Sequence, residues 1–208
     1  MNSKSLAGTT FALLSSAILL TACGDDAGEH GDHPATGGGT TSVAAGPATT
    51  PVNGEHNEAD IRFAQEMIPH HRQAVEMAAL VPSHSTDPGV LDLAARVQQA
   101  QDPEIAAMTG WLEAWGAAVP EGTGHSGMDH GSMPGMMSAE QMAELEAAQG
   151  AEFDRLWLTM MIAHHEGAVQ MARTELAEGT DPQARAMAQQ IIDTQQAEIQ
   201  QMQAMLEA

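Results

Sequence analysis

The chain has 208 residues, of which 28 are acidic and seven basic, for a formal net charge of −21. That balance excludes nucleic acid as a partner, because a phosphate backbone needs clustered basic residues and Lys4 is the only lysine. A strongly acidic exterior instead attracts cations. With one cysteine there is no internal disulfide, so 15 methionines and ten histidines are the available soft donors.

The first element is a targeting segment. Lys4 supplies a weak basic region, and the apolar stretch Leu6 to Leu20 is too short and too interrupted by Ser and Thr to span a bilayer. Leu20-Thr21-Ala22-Cys23 resembles a bacterial lipobox, in which cleavage precedes the cysteine and lipid is added to it. Residues 1–22 are therefore read as a lipoprotein signal peptide and Cys23 as the lipidation site. The mature chain is then tethered outside the cytoplasmic membrane of a bacterium without spanning it. The alternative is an ordinary secretory signal with an incidental cysteine. Residues 23–56 are Gly, Thr, Ala and Pro with scattered acids and read as a flexible tether. Its His30 and His33 are either solvated linker residues or an auxiliary metal-capturing tail.

Residues 57–208 make one domain's worth of chain. A first helix is predicted from about Glu58 to Leu80, stopping near Pro82. A second follows Thr86-Asp87-Pro88, where Thr or Asp caps and Pro suits the first turn. It runs to about Ala117, with Pro103 predicting a kink or a break. A third starts after Ser138, whose Ser-Ala-Glu-Gln is a capping signal, and runs to Glu178, with Gly150 as a weak point. A fourth follows Thr180-Asp181-Pro182 and reaches the C-terminus. No stretch alternates as a strand would, and the Ala, Gln, Glu, Met and Leu content suits helices.

These helices repeat. Asp60–Ala114 aligns without a gap on Asp154–Ala208, ninety-four residues later, with 20 identities over 55 positions. Two hairpins, each unable to bury its own apolar face, pair most simply as a four-helix bundle, so the fold is read as all-α. Within the repeat, DIRFAQEMIPHHRQAVEMA matches DRLWLTMMIAHHEGAVQMA. At about 100° per residue, Asp60, Phe63, Met67, His70, His71, Ala74, Met77 and Ala78 fall in one arc of about 120°, a core-facing stripe. Asp154, Trp157, Met161, His164, His165, Ala168, Met171 and Ala172 do the same. Four buried imidazoles need partners. Metal coordination backed by carboxylates provides them, as does a polar core network of His with Asp60, Asp154, Glu104 and Glu198. The later helices offer Glu104 with Met108 and Glu198 with Met202, each pair four residues apart on one face. Methionine at helical spacing is also ordinary core filling.

The connection 119–139 carries His125, Met128, His130, Met133, Met136 and Met137 among Gly, Ser and Pro. Thioether with imidazole selects Cu(I), and imidazole also takes Cu(II). The alternative is a linker whose methionines pack on the bundle.

The doubled pattern D-x-x-F/W-x-x-x-M-I-x-H-H-x-x-A-V-x-M-A, followed after the Thr-Asp-Pro cap by Q-x-x-E-I-x-x-M, resembles the bacterial domain-of-unknown-function family 305 over about Asp60 to Ala208. The resemblance implies a ferritin-like helical fold and kinship with extracytoplasmic copper-binding proteins. Carried over residue by residue, it implies Met67, His70, His71, Met77, Met161, His164, His165 and Met171 as site residues. Pro69 stands where the second copy has Ala163, so the second copy is the more regular helix. Met67 and Met161 occupy the places where a di-iron Glu-x-x-His would carry Glu, which disfavours a di-iron oxidase.

Three functions compete. The first is a membrane-anchored copper-binding protein for sequestration, tolerance or transfer, with silver and zinc left open as ions. A copper-handling protein or a second copy of the chain would be its partner. A metal-dependent ferritin-like enzyme would need an open coordination position and a pocket, and no nucleophile or acid–base pair stands out. A structural or sensory bundle would respond to histidine protonation.

Overall fold

The structure, a computed structural model, describes residues 55–121 and 133–208. Signal peptide, Cys23, His30, His33, His125, Met128 and His130 lie outside the described residues, as does nearly all of the tether. Among the described residues there are five helices: α1 (Glu58–His84), α2 (Pro88–Trp115), α3 (Ala139–Ala147), α4 (Gly150–Glu178) and α5 (Pro182–Glu207). Among the described residues there is no strand, and no helix is long and apolar enough to cross a membrane.

The caps explain the boundaries. Asp87 and Asp181 each accept two backbone N–H groups of the turn that follows, and Pro88 and Pro182 occupy the first turn. Asn57 and Ser138 form capping boxes with Asp60 and Gln141. Three expectations change. α2 runs unbroken through Pro103, which is exposed. The predicted third helix divides into α3 and α4, because Ala148 and Gln149 are extended and Gly150 takes φ +57°. α1 also continues past Pro82 to His84.

α1 pairs with α2, α4 pairs with α5, and the two hairpins meet along α1 and α4. His70 lies against His164, and Trp157 Nε1 donates to the Met77 carbonyl at 3.0 Å. Partner numbers on α4 fall as those on α1 rise, so these central helices run antiparallel. The result is an all-α bundle of two repeated hairpins with α3 packed on α4.

The apolar core comes in two clusters. One holds Met77, Val81, Leu93, Val97, Phe153, Trp157, Met161 and Met202. The other holds Phe63, Met67, Met108, Leu112, Ala168, Ala172, Ala188 and Ile191. They exchange equivalent positions of the two copies, as an approximate two-fold axis between α1 and α4 requires. Between them lies a buried polar layer.

Candidate metal centre

That layer consists of His70, His71, His164 and His165 with Gln101, Glu104, Gln195 and Glu198, all buried. α1 and α4 deliver the histidines because adjacent residues on a helix flank one inward stripe. α2 and α5 deliver Gln and Glu three residues apart, on one face.

His71 Nε2 donates to Glu104 Oε2 at 2.8 Å, and His165 Nε2 donates to Glu198 Oε2 at 2.8 Å. The same bond recurs in both copies. Gln190 adds a donor to the second Glu104 oxygen at 3.4 Å. His70 Nε2 donates to the Pro134 carbonyl at 3.1 Å. A carbonyl or carboxylate oxygen accepts, so Nε2 carries the proton in all three rings, and each Nδ1 is buried without a partner. His164 has neither ring nitrogen partnered. Its ring centroid is 3.8 Å from that of His70.

Burial, followed by the charge His71 would carry, lowers the His70 pKa to about 3. Burial, followed by His70, His165 and His71, holds His164 well below its ordinary value. Both rings are therefore neutral at physiological pH and keep a lone pair. A buried donor or acceptor left unsatisfied costs about 1–3 kcal/mol, so the layer is expensive unless something takes up its free nitrogens. A metal ion does so directly, and Glu104 and Glu198 then act through the far side of the rings.

Among the described residues, no three His, Cys, Asp or Glu side chains converge as a preformed metal cluster. Thioethers lie one turn away from the layer. Met67 and Met161 precede the histidines on their own helices, and Met108 and Met202 follow the glutamates on theirs. All four are fully buried. Imidazole with thioether is a soft donor set suited to copper or silver.

A strap, residues 133–137, crosses this layer. Gln73 donates to the Met137 carbonyl at 2.9 Å and accepts from the Met137 N–H at 2.7 Å. On the other side, Gly135 has φ +77° and lies against the carbonyls of Ala163 and His164, while a Cβ on Gly167 would overlap the Pro134 carbonyl. Gln73 and Gly167 are equivalent positions, so the copies differ where the strap docks. Met137 is buried in the core and packs with α3, which is core filling; Met133 and Met136 are half-buried.

Four other expected site residues lie elsewhere. Asp60, expected beside the histidines, is at the α1 N-terminus, its oxygens taken by the N–H groups of Asn57, Thr180 and Asp181. Asp154 is half-buried, with one unpartnered oxygen. Met77 is in the core, and Met171 borders a cavity. Neither Gln101 nor Gln195 was foreseen, although their identity in both copies was the available signal.

The model of the family described as Domain of unknown function (DUF305) matches residues 60–206. A DUF305 fragment from Deinococcus radiodurans is 31% identical, with a TM-score of 0.66, over 74% of this chain and 99% of that one. A DUF305 protein from Streptomyces coelicolor, provisionally classed as secreted, is 32% identical, with a TM-score of 0.64, over 72% and 92%. CopM in its Cu(II)-bound form is 31% identical, with a TM-score of 0.62, over 71% and 95%. CopM structures with Cu(I) and with Ag are also similar. Among curated protein sequences, none matches.

Proposed function

The chain belongs to the DUF305 family, and from that premise we propose that it is an extracytoplasmic copper-binding protein that sequesters copper or passes it on. The observation that carries this reading is the layer of four buried histidines, each with an unpartnered Nδ1. Copper is the cargo, taken by imidazole nitrogens with methionine thioethers. The copper- and silver-bound forms of CopM support the choice of ion. Glu104 and Glu198 fix which ring nitrogen faces the ion.

Residues 1–22 direct export, lipid on Cys23 anchors the chain, residues 23–56 give it reach, and 57–208 hold the metal. His125, Met128, His130, Met133 and Met136 are the first soft donors an arriving ion meets.

Anaerobic Cu(I) titration against a competing chelator tests the reading. The parent protein should take up copper stoichiometrically, and both His70→Ala/His71→Ala and His164→Ala/His165→Ala should lose the tight site while keeping their helical circular dichroism. Glu104→Ala or Glu198→Ala should weaken it by about 10–100-fold. Folded double variants with unchanged copper stoichiometry would make the layer a structural polar core. Retention of Cys23→Ser in the membrane fraction would remove the lipid anchor from the proposal.

A further inference from the structure

A cavity of about 150 Å³ opens between the first half of α1 and the last half of α4. Phe63, Glu66, Pro134, Met171, Thr174 and Glu175 border it. Arg62 also borders it, and is paired with Glu178 at 2.9 Å. Glu175 is only 1% exposed, and its carboxyl group lies beside the Asp60 carboxylate and against Gly179. Pro134 belongs both to this cavity and to the histidine layer, where its carbonyl accepts from His70.

The duplication supplies an internal control. Ninety-four residues along, or back, Phe63 becomes Trp157, Glu66 becomes Met160, Met171 becomes Met77 and Glu175 becomes Val81. Those four equivalents are buried in one cluster beneath Met142 and Leu145 of α3. α3 therefore plugs one of two equivalent grooves and leaves the other open. The plugged groove is apolar at the two positions where the open one has carboxyl groups. An open groove needs polar residues for solubility, which accounts for half-buried Glu66. It does not account for a second carboxyl group buried beside Asp60, a costly arrangement.

We infer that the open groove is the entry site through which a soft monovalent metal cation reaches the histidine layer, held in passing by Glu175 and the Met171 thioether. This rests on the copper reading above. Glu66 attracts the ion at the mouth, and Met171 supplies the soft donor. Burial, then the neighbouring Asp60, raises the Glu175 pKa to about 8, so the arriving cation displaces its proton to solvent. Pro134 borders the groove and bonds His70, and so joins the groove to the histidine layer.

Stopped-flow uptake of Ag(I) by the folded protein, with histidine ring nitrogen shifts recorded at equilibrium, tests the passage. Glu175→Gln combined with Met171→Leu should slow uptake at least about tenfold and leave the final shifts of His70 and His164 unchanged. Thr174→Phe, an exposed residue at the groove, should slow it by plugging. Arg173→Phe, exposed but outside the groove, should not. Parent-like rates in both groove variants overturn the passage while the copper reading stands. Lost occupancy of the histidines in the first variant makes Glu175 and Met171 part of the final site and also overturns it. A parent protein whose histidine shifts do not move with Ag(I) removes both readings together.

Discussion

Asp60 and Asp154 are the same residue at the same place in the repeat, each facing a Thr-Asp-Pro cap, yet they build different corners. Asp60 accepts from Asn57 N at 2.6 Å, Thr180 N at 3.0 Å, Asp181 N at 2.9 Å and Thr180 Oγ1 at 3.2 Å. It thereby ties the start of α1 to the turn between α4 and α5. Asp154 has an oxygen without a partner, and the N–H of Asp87, its counterpart donor, goes to Ser85 Oγ at 3.1 Å. The cause is local. Ser85 is replaced in the second copy by Gly179, which has no hydroxyl to compete, and α4 begins a full turn before Asp154 while α1 begins two residues before Asp60. Retained identity between copies preserved the position and not the bond.

The largest expected effect is a pH dependence confined to the Asp60 corner. Glu175 lies against Gly179, and its counterpart is Val81, which cannot titrate. With its pKa raised from 4.5 to about 8, folded Glu175 keeps a proton that the unfolded chain has lost. Stability therefore falls as pH rises through that window, by up to about 1.4 kcal/mol per unit. Urea unfolding at several pH values should show this slope in the parent and a flatter one in Glu175→Gln. Equal slopes would mean the two corners are electrostatically alike.

Asp60→Ala comes next. Burial would raise this carboxyl, yet the Asn57 N–H, the Glu175 carboxyl and the N–H groups of Asp181 and Thr180 hold its pKa below the ordinary value, and removing it strands several buried donors. We expect a loss of about 3 kcal/mol, against less than about 1 kcal/mol for Asp154→Ala. Similar losses in chemical denaturation would erase the contrast between the copies.

Smaller effects are expected at the strap. Gly167→Ala forces a Cβ into the Pro134 carbonyl and should cost about 1–3 kcal/mol. Gln73→Ala removes both bonds to Met137 and should cost about 1–2 kcal/mol. Amide exchange at Met137 should quicken in both. Unchanged exchange in Gly167→Ala would show that the strap is held from the Gln73 side alone.

How much of this was legible in the sequence follows from what repeats. The helices and their caps were readable because Thr-Asp-Pro and the 3.6-residue stripe are local signals. The histidine layer was readable because His70, His71, His164, His165, Glu104 and Glu198 are retained in register, and equal spacing on paired helices brings the 71–104 and 165–198 partners together. Gln73, Gly167 and Glu175 were not readable. Each acts against something that is not repeated, the strap or the open corner, so comparison of the copies shows only that they differ. Met137, the last member of the Met-rich stretch, is held by Gln73, sixty-four residues away, a contact the repeat does not encode.

The segment from Met133 to Ala147 has one further consequence, which concerns symmetry. Two separate copies of a single hairpin, associated about a true two-fold axis, would carry identical grooves and so two identical mouths. Such an assembly offers an ion no distinction between one face of entry and the other. Joining the copies in one chain supplies a single covering element for two equivalent places, and it must choose. The linker thus removes the equivalence of the two faces, covering one groove with α3 and leaving the other open.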